Sequence, residues 1–259
     1  MNFRRTFRTL KELLGFLPSG SQTDWVQIDQ VDSFKPTIVL VSGFGATHRN
    51  LEAARKRFKK EGFNVFLLSL EWNDFSDLVK GFYPLSKKLS QLILNLRKKP
   101  KMSKSPIFIV AHSAGGLVAR HYIQILGGSH YVSGLITLGT PHQGTWFALL
   151  GLMTHLLLKA RCLLQMLPTS SFISEINKKE IPDNFPFISI YSKDDLLCPP
   201  SSARLSHQTY QGEKVKSIEI AGINHAGFLL NKGLHKQLAQ VMRSNTEELT
   251  DNILAAIHS

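Results

Sequence analysis

The chain has 259 residues, 43% hydrophobic and 19% charged, which excludes disordered and collagenous proteins and fits one large globular domain. Its two cysteines, Cys162 and Cys198, exclude a disulfide framework, and no histidine lies at metal-finger spacing from them, so no structural zinc is expected. The formal net charge of +12 favours anionic surroundings. No nucleic-acid-binding motif accompanies the basic clusters, so no nucleic acid partner is expected.

Residues 1–24 predict a basic amphipathic segment. Apolar residues recur there at steps of three and four, with arginines between them, at Phe3, Phe7, Leu10, Leu14 and Leu17. This spacing describes a helix that could make peripheral contact with an anionic membrane. A helix packed on the domain and, in a eukaryotic source, a transit peptide are the alternatives. The longest apolar run is too short for a secretory signal, so we expect a cytoplasmic or peripheral membrane protein.

From about residue 36, short β-branched runs alternate with longer amphipathic stretches. Six runs predict buried strands, at residues 38–41, 65–68, 107–110, 135–138, 187–191 and 215–220. Four stretches have helical spacing, at residues 51–61, 78–98, 115–126 and 232–242. The alternation predicts an α/β fold with a mostly parallel central sheet and helices on both faces. Ligands of such sheets bind at the carboxyl ends of the strands, so functional residues are expected just after them.

Residues 145–168 predict an amphipathic insertion between two strands. The stretch is strongly apolar, but Lys159 and Arg161 exclude a membrane span, which needs about 20 predominantly apolar residues. Apolar residues step along one helical face at Leu149, Met153, Leu156, Ala160, Leu163 and Leu167. Pro168 ends this helix. The insertion could cover a site as a lid that opens onto lipid, or stay in place as a fixed cap.

A candidate nucleophile follows the third predicted strand. The strand at 107–110 runs into Ala111-His-Ser-Ala-Gly-Gly116, a small-X-Ser-X-Gly turn at the start of a helix. A serine on such a sharp turn is strained and exposes its hydroxyl at the sheet edge. The helix N-terminus adds N–H donors and a positive dipole that suit a developing oxyanion. Ser113 is therefore the candidate nucleophile, and a plain capping serine is the alternative.

An oxyanion needs a second donor, usually from the loop after an earlier strand. The strand at 38–41 ends near Gly43 and Gly45, which let the backbone turn toward the site. We expect the backbone N–H groups of Phe44 and Ala114 to be the two donors. An ordinary glycine-containing turn is the alternative.

A nucleophilic serine needs a histidine to accept its proton and a carboxylate to orient that histidine. Asp194 and Asp195 both follow the predicted strand that ends at Tyr191, and His225 follows the last strand between two glycines. The order serine, aspartate, histidine is that of one class of triad and differs from the two common protease orders. The conjunction of three residues at three strand ends is more specific than any single motif.

These segments resemble the α/β-hydrolase family and, within it, the bacterial triacylglycerol lipases. The resemblance rests on Gly43–Gly45, on Ala111-His-Ser-Ala-Gly-Gly116 and on Leu138-Gly-Thr-Pro-His-Gln-Gly-Thr145, besides the aspartate and histidine loops. It implies an α/β-hydrolase domain over residues 25–259 with a helical lid or cap, Ser113 as nucleophile and His225 as base. It also implies Asp195 rather than Asp194 as the acid, because Asp195-Leu-Leu-Cys-Pro matches the family's spacing.

The resemblance implies hydrolysis of a lipid ester without a cofactor, and no metal is implied because no calcium-site aspartates are recognisable. His142, Trp146, Leu149 and Met153 are the candidate substrate-binding residues, with a positioning role as the alternative for His142. Phospholipase, lipid acyltransferase or inositol-deacylase activity are alternatives. A small ester or thioester substrate and a non-catalytic membrane-binding protein are others. Ser42 departs from the lipases, which usually carry histidine there.

Overall fold

The computed structural model describes residues 31–32, 34–43, 48–68, 80–151, 161–205 and 215–243. Six strands lie in these ranges: β1 Thr37–Val41, β2 Asn64–Leu68, β3 Ile107–His112, β4 Gly134–Leu138, β5 Phe187–Ser192 and β6 Val215–Ile220. The helices are α1 His48–Lys60, α2 Phe82–Arg97, α3 Gly115–Gln124, α4 Arg161–Gln165, α5 Ser171–Lys178, α6 Pro200–Ala203, α7 Gly227–Leu230 and α8 Lys232–Arg243. The six strands and the four helices predicted from the sequence are confirmed, and their ends differ from the predicted ends by a few residues. The N-terminal segment 1–24 lies outside the described residues.

The six strands form one parallel sheet in the order β2-β1-β3-β4-β5-β6. Parallel strands need crossovers, and the helices between them supply these crossovers on both faces of the sheet. The sheet and its helices confirm the predicted α/β architecture with a parallel central sheet. All six carboxyl ends point to one edge, so the loops that follow the strands meet there.

Alternate residues of each strand enter two separate cores. On one face, Val39 and Val41 pack with α2, α3 and α5. On the other face, Ile38 and Leu40 pack with α1, α7 and α8. Because both faces are covered, every residue of β1 is buried, which explains its uninterrupted apolar run. Full burial of one large side chain such as Phe58 of α1 contributes about 1.5–3 kcal/mol.

The first part of the insertion after β4 differs from the helix predicted for it. Trp146–Gly151 forms a 3-10 helix, and α4 is described over Arg161–Gln165. Residues 152–160 lie outside the described residues. Two hydrogen bonds to Thr145 lie at the start of this 3-10 helix. The amide of Ala148 donates to the Thr145 carbonyl, and the amide of Phe147 donates to the Thr145 hydroxyl. In the described part of the chain, no helix has both the length and the apolar character needed to cross a bilayer.

Candidate active site

Ser113 lies on a strained turn between β3 and α3. Its φ of +56° is in the left-handed region, which it shares with Asn184 alone among the described non-glycine residues. Such a backbone costs about 1–3 kcal/mol and persists only where the surroundings hold it. The Ser113 amide donates to the carbonyl of Leu138 at 2.9 Å, which ties the turn to the end of β4. The predicted nucleophile turn is therefore present in the structure.

The three residues predicted from separate strand ends form one hydrogen-bonded chain. Nε2 of His225 lies 2.9 Å from Oγ of Ser113, and Nδ1 of His225 lies 2.7 Å from Oδ2 of Asp195. The other carboxylate oxygen, Oδ1, accepts the amides of Leu197 and Cys198 at 3.0 and 2.9 Å. A carboxylate can only accept, so Nδ1 of His225 carries the proton and Nε2 is free to receive one from the serine hydroxyl.

Burial reinforces this arrangement. Asp195 is 1% exposed and His225 is 3% exposed, whereas Ser113 is half-buried. Hydrogen bonds inside a low-dielectric interior are stronger than the same bonds in water. The hydrogen bonds thus connect a buried carboxylate, on Asp195, through His225 to the half-buried hydroxyl of Ser113.

Asp194 has a different contact from Asp195. Its Oδ2 accepts the amide of Gly222 at 2.6 Å, and its own amide donates to Oγ of Ser192. The sequence did not predict this bond to Gly222. Asp194 therefore joins the loop after β5 to the loop that carries His225.

Gly43 leaves open the space in front of the Ala114 amide. A Cβ added at Gly43 would lie 2.6 Å from N of Ala114 and 2.7 Å from Cβ of Ser113. Any side chain at Gly43 would therefore block both the amide and the serine. This placement supports Ala114 as one of the two predicted oxyanion donors. The other predicted donor, Phe44, lies outside the described residues.

The run Gly139-Thr-Pro-His-Gln-Gly144 contacts the turn that carries Ser113 and lies close to Asp195. Gly139 has a φ of +55°, and a Cβ there would lie 2.8 Å from Oδ2 of Asp195 and 2.9 Å from the ring of Phe228. The hydroxyl of Thr140 donates to the backbone carbonyl of Ser113 at 2.9 Å. Sequence reasoning missed both contacts. The run itself was the available signal, because it follows β4 directly.

His142, a candidate substrate-binding residue within this run, is fully buried. Its Nε2 lies 3.0 Å from Oγ1 of Thr137, and its Nδ1 lies 3.4 Å from a guanidinium nitrogen of Arg120. Burial and the Arg120 charge hold the pKa of His142 well below its ordinary 6.5, so the ring is neutral. This placement favours the positioning role over contact with an acyl chain.

Arg120 is a fully buried cation that sequence reasoning also missed. It donates to side-chain oxygens of Gln124 and Asn177 at 3.0 and 2.9 Å and to the carbonyl of Ile176 at 3.0 Å. Burial lowers its pKa to about 9, so it is still charged at neutral pH. These bonds join α3, which begins just after the serine, to α5.

The insertion begins beside the acid loop, where the hydroxyl of Thr145 donates to the carbonyl of Leu197. Of the predicted substrate-binding residues there, Trp146 is 59% exposed. The backbone of Leu149 lies in the 3-10 helix, and Met153 lies outside the described residues. Within the described residues of the insertion, Thr145 at its start contacts the loop that follows Asp195.

Asp195, Cys198 and His225 have potential metal-binding atoms within 4.8 Å of one another. Their chemistry suits the hydrogen-bonded chain better than an ion. Both oxygens of Asp195 already accept hydrogen bonds. Burial and the Asp195 charge raise the pKa of the Cys198 thiol well above its ordinary value, whereas metal binding needs the thiolate.

Comparison with known proteins places this chain in a family. The model of the palmitoyl protein thioesterase family matches residues 37–182, more than half of the 259-residue chain. A GPI inositol-deacylase of Candida albicans is 24% identical over 192 residues, which cover 72% of this chain and 43% of that protein. The chain therefore spans less than half the length of this relative.

Solved structures share the fold at low sequence identity. A soluble variant of monoglyceride lipase from Saccharomyces cerevisiae has a TM-score of 0.60 at 15% identity, covering 90% of this chain and 94% of that chain. The monoacylglycerol lipase of Paleococcus ferrophilus has a TM-score of 0.56 at 15% identity, covering 84% and 96%. An α/β hydrolase from a lagoon-sediment metagenome in Morocco has a TM-score of 0.57 at 15% identity, covering 80% and 89%.

Proposed function

The chain belongs to the palmitoyl protein thioesterase family, and on this premise we propose that it is a serine hydrolase that cleaves carboxylic esters of lipids through an acyl-serine intermediate. The observation that carries the proposal is the continuous chain of hydrogen bonds from Ser113 through His225 to Asp195. Ser113 is half-buried and Asp195 is fully buried, so these hydrogen bonds lead from the end that a substrate would reach to the sheltered carboxylate.

In the acylation step, Oγ of Ser113 attacks the ester carbonyl carbon while Nε2 of His225 takes the hydroxyl proton. The carbonyl oxygen becomes an oxyanion that accepts hydrogen bonds from the backbone N–H groups of Ala114 and Phe44. The carbon–oxygen bond to the alcohol then breaks, and the alcohol leaves with the proton from His225. Asp195 keeps the imidazole in the required tautomer and stabilises its charged form.

In the deacylation step, a water molecule attacks the acyl carbon and gives a proton to His225. The bond to Oγ of Ser113 breaks, and the serine regains its proton from His225 as the fatty acid leaves. No redox or electrophilic cofactor is needed, because the histidine both accepts and donates the proton. The proposal therefore includes no cofactor and no metal.

The proposal also concerns the substrate, which is defined by its acyl group and its leaving group. The resemblance to bacterial triacylglycerol lipases favours a glycerolipid ester. The family match favours a long-chain thioester, which the same acyl-serine chemistry would cleave. The relative from Candida albicans favours an acylated inositol lipid. All three substrates present an apolar acyl chain, for which the exposed Trp146 and Phe147 beside the acid loop are candidate contacts.

Hydrolysis of p-nitrophenyl esters of increasing acyl length, with a palmitoyl thioester in parallel, tests the reaction. We expect turnover that rises toward long chains. Ser113→Ala and His225→Ala should each lower turnover about 10⁴- to 10⁶-fold, because the triad acts as a unit. A fluorophosphonate probe should label the wild type and not Ser113→Ala. A folded wild type that neither turns over nor reacts with the probe would be a non-catalytic binding protein.

We also propose that the protein makes peripheral contact with anionic membranes. The net charge of +12 and the basic amphipathic pattern of residues 1–24 support this contact. Deleting residues 1–20 should weaken binding to vesicles that contain phosphatidylserine more than it slows hydrolysis of a soluble ester. Equal binding before and after the deletion would exclude this segment as the anchor.

A further inference from the structure

His112 directly precedes Ser113 in the sequence and contacts His225. Its side chain is buried, and its Nε2 lies 3.0 Å from the backbone carbonyl oxygen of His225. The two imidazole rings pack with their centroids 4.7 Å apart and their planes inclined at 45°. His112 therefore touches both the backbone and the side chain of His225.

The protonation of His112 follows from these contacts. A carbonyl oxygen can only accept, so Nε2 of His112 carries the proton and Nδ1 does not. Nδ1 is buried and has no hydrogen-bond partner in the described structure. Burial, with a smaller effect of the His225 charge, lowers the pKa of His112 to about 3. A neutral ring with a single donor is poorly suited to a second proton transfer, and it adds no positive charge beside His225 when that ring is protonated.

His225 lies in the loop between β6 and α7, and few hydrogen bonds of the described structure fix this loop. It is held at one end by the bond from Gly222 to Asp194. At its other end, the amide of Gly227 donates to the side chain of Asn224 at 2.8 Å. Neither bond involves His225 itself. The His112 bond is made at the His225 carbonyl, and the His112 ring covers part of the His225 ring.

We propose that His112 is a positioning residue for His225. Its Nε2–H holds the His225 backbone, and its ring limits rotation of the imidazole. Together these contacts keep Nε2 of His225 on Ser113 while Nδ1 stays on Asp195. The effect on turnover rests on the function proposed above, but the effect on the His225–Asp195 bond does not.

Four variants test the role. His112→Phe keeps a ring and removes the donor. His112→Gln places an amide donor near the position of Nε2, and His112→Asn carries the same amide on a side chain too short to reach. The matched control is His235→Phe: His235 is 1% exposed, and its Nε2 lies 2.9 Å from the carbonyl of Phe228 rather than that of His225.

The primary measurement is the proton NMR resonance of the Nδ1–H shared by His225 and Asp195, which needs no turnover. We expect this resonance to broaden or disappear in His112→Phe and His112→Asn and to persist in His112→Gln and His235→Phe. On a p-nitrophenyl ester, kcat should fall about ten- to hundredfold in His112→Phe, with KM within about twofold, since the His225 carbonyl loses its donor. His112→Gln should recover most of this loss.

The results separate the two proposals. A wild-type-like resonance in folded His112→Phe or His112→Asn would overturn the positioning role. An equal loss in His235→Phe would also overturn it, because packing alone would then explain the effect. If His112→Phe does not fold, His112→Asn against His112→Gln decides. A wild type that shows the resonance but hydrolyses no ester or thioester would refute the proposed function, and the resonance would still test His112.

Discussion

The hydroxyl of Thr140 donates to the backbone carbonyl of Ser113 at 2.9 Å, across 27 positions of sequence. The amide of the same serine donates to the carbonyl of Leu138, two residues before Thr140. The amide of the strained serine is thus bonded to the last residue of β4, and its carbonyl is bonded to the loop that follows β4. The loop after β4 supports the left-handed conformation that exposes the Ser113 hydroxyl.

Replacing Thr140 with valine should therefore lower kcat about tenfold. Valine keeps the shape of threonine but removes a donor worth about 1 kcal/mol, and the Ser113 carbonyl would keep only its bond from the Gly116 amide. Thr140→Ser keeps the hydroxyl and is the control, with a kcat close to that of the wild type. Equal rates for the two variants in a p-nitrophenyl ester assay would mean that the bond does not support the turn.

The two adjacent aspartates should respond differently to the same substitution. Asp195→Asn should lower kcat about 10⁴-fold, because an amide at this position favours the wrong tautomer of His225. Asp194→Asn should lower kcat less than tenfold, since the asparagine oxygen can still accept the amide of Gly222. Steady-state kinetics of both variants measure the contrast. Loss of activity in Asp194→Asn, with Asp195→Asn unaffected, would reverse the assignment of the acid.

Gly139→Ala should destabilise the protein and impair the site together. Its φ of +55° strains any side chain, and the new Cβ would lie 2.8 Å from Oδ2 of Asp195. Gly222→Ala is the matched control, because Gly222 also has a positive φ, +76°, but has no atom within 4 Å of an added Cβ. We expect about 1 kcal/mol of lost stability for Gly222→Ala and at least 2 kcal/mol more for Gly139→Ala.

Urea unfolding of both glycine variants, with the wild type alongside, measures this difference. The Gly222 variant isolates the cost of backbone strain, so the remainder for Gly139 reports the crowding of Asp195 and Phe228. Similar losses in the two variants would show that the space beside Asp195 adjusts freely.

Buried neutral histidines should make the folded state sensitive to acid. Burial lowers the pKa of His112 to about 3 and that of His235 to about 4, and it holds the pKa of His142 well below its ordinary 6.5. Well above pH 6.5 these rings are neutral in both the folded and the unfolded state. Between about pH 4 and 6.5 the unfolded chain binds protons that the folded chain does not, so stability falls as the pH falls.

The His235 variant isolates one histidine of this group. His235→Phe should reduce the dependence of the unfolding free energy on pH by about 1.4 kcal/mol per pH unit near pH 5. The exposed residue His130 supplies the control His130→Gln. Urea unfolding at pH 7.5 and pH 5 gives the slopes. The same slope in His235→Phe as in the wild type would exclude His235 as a source of the acid sensitivity.

The resemblance and the strand pattern were sufficient to place Ser113, Asp195 and His225 at strand ends, because each position is a local feature. A run of buried apolar residues predicts a strand, and the residues just after it meet those of neighbouring strands at one edge. The helix expected over residues 146–167 was wrong at its start. The apolar spacing there is helical, but the hydrogen bonds made by Thr145 set a 3-10 turn instead.

The α/β architecture and the strand ends that carry the candidate triad could be predicted from the sequence, because the periodicities of strands and helices are features of neighbouring residues. The resemblance selected Asp195 over Asp194, but the contacts of the two aspartates came from the fold: Asp195 bonds to Nδ1 of His225, whereas Asp194 accepts the amide of Gly222. The tertiary structure also decided the contacts of Thr140 with Ser113 and of His112 with His225, which join positions 27 and 113 apart. Such contacts depend on how the loops approach one another in space, and residue spacing carries no signal for them.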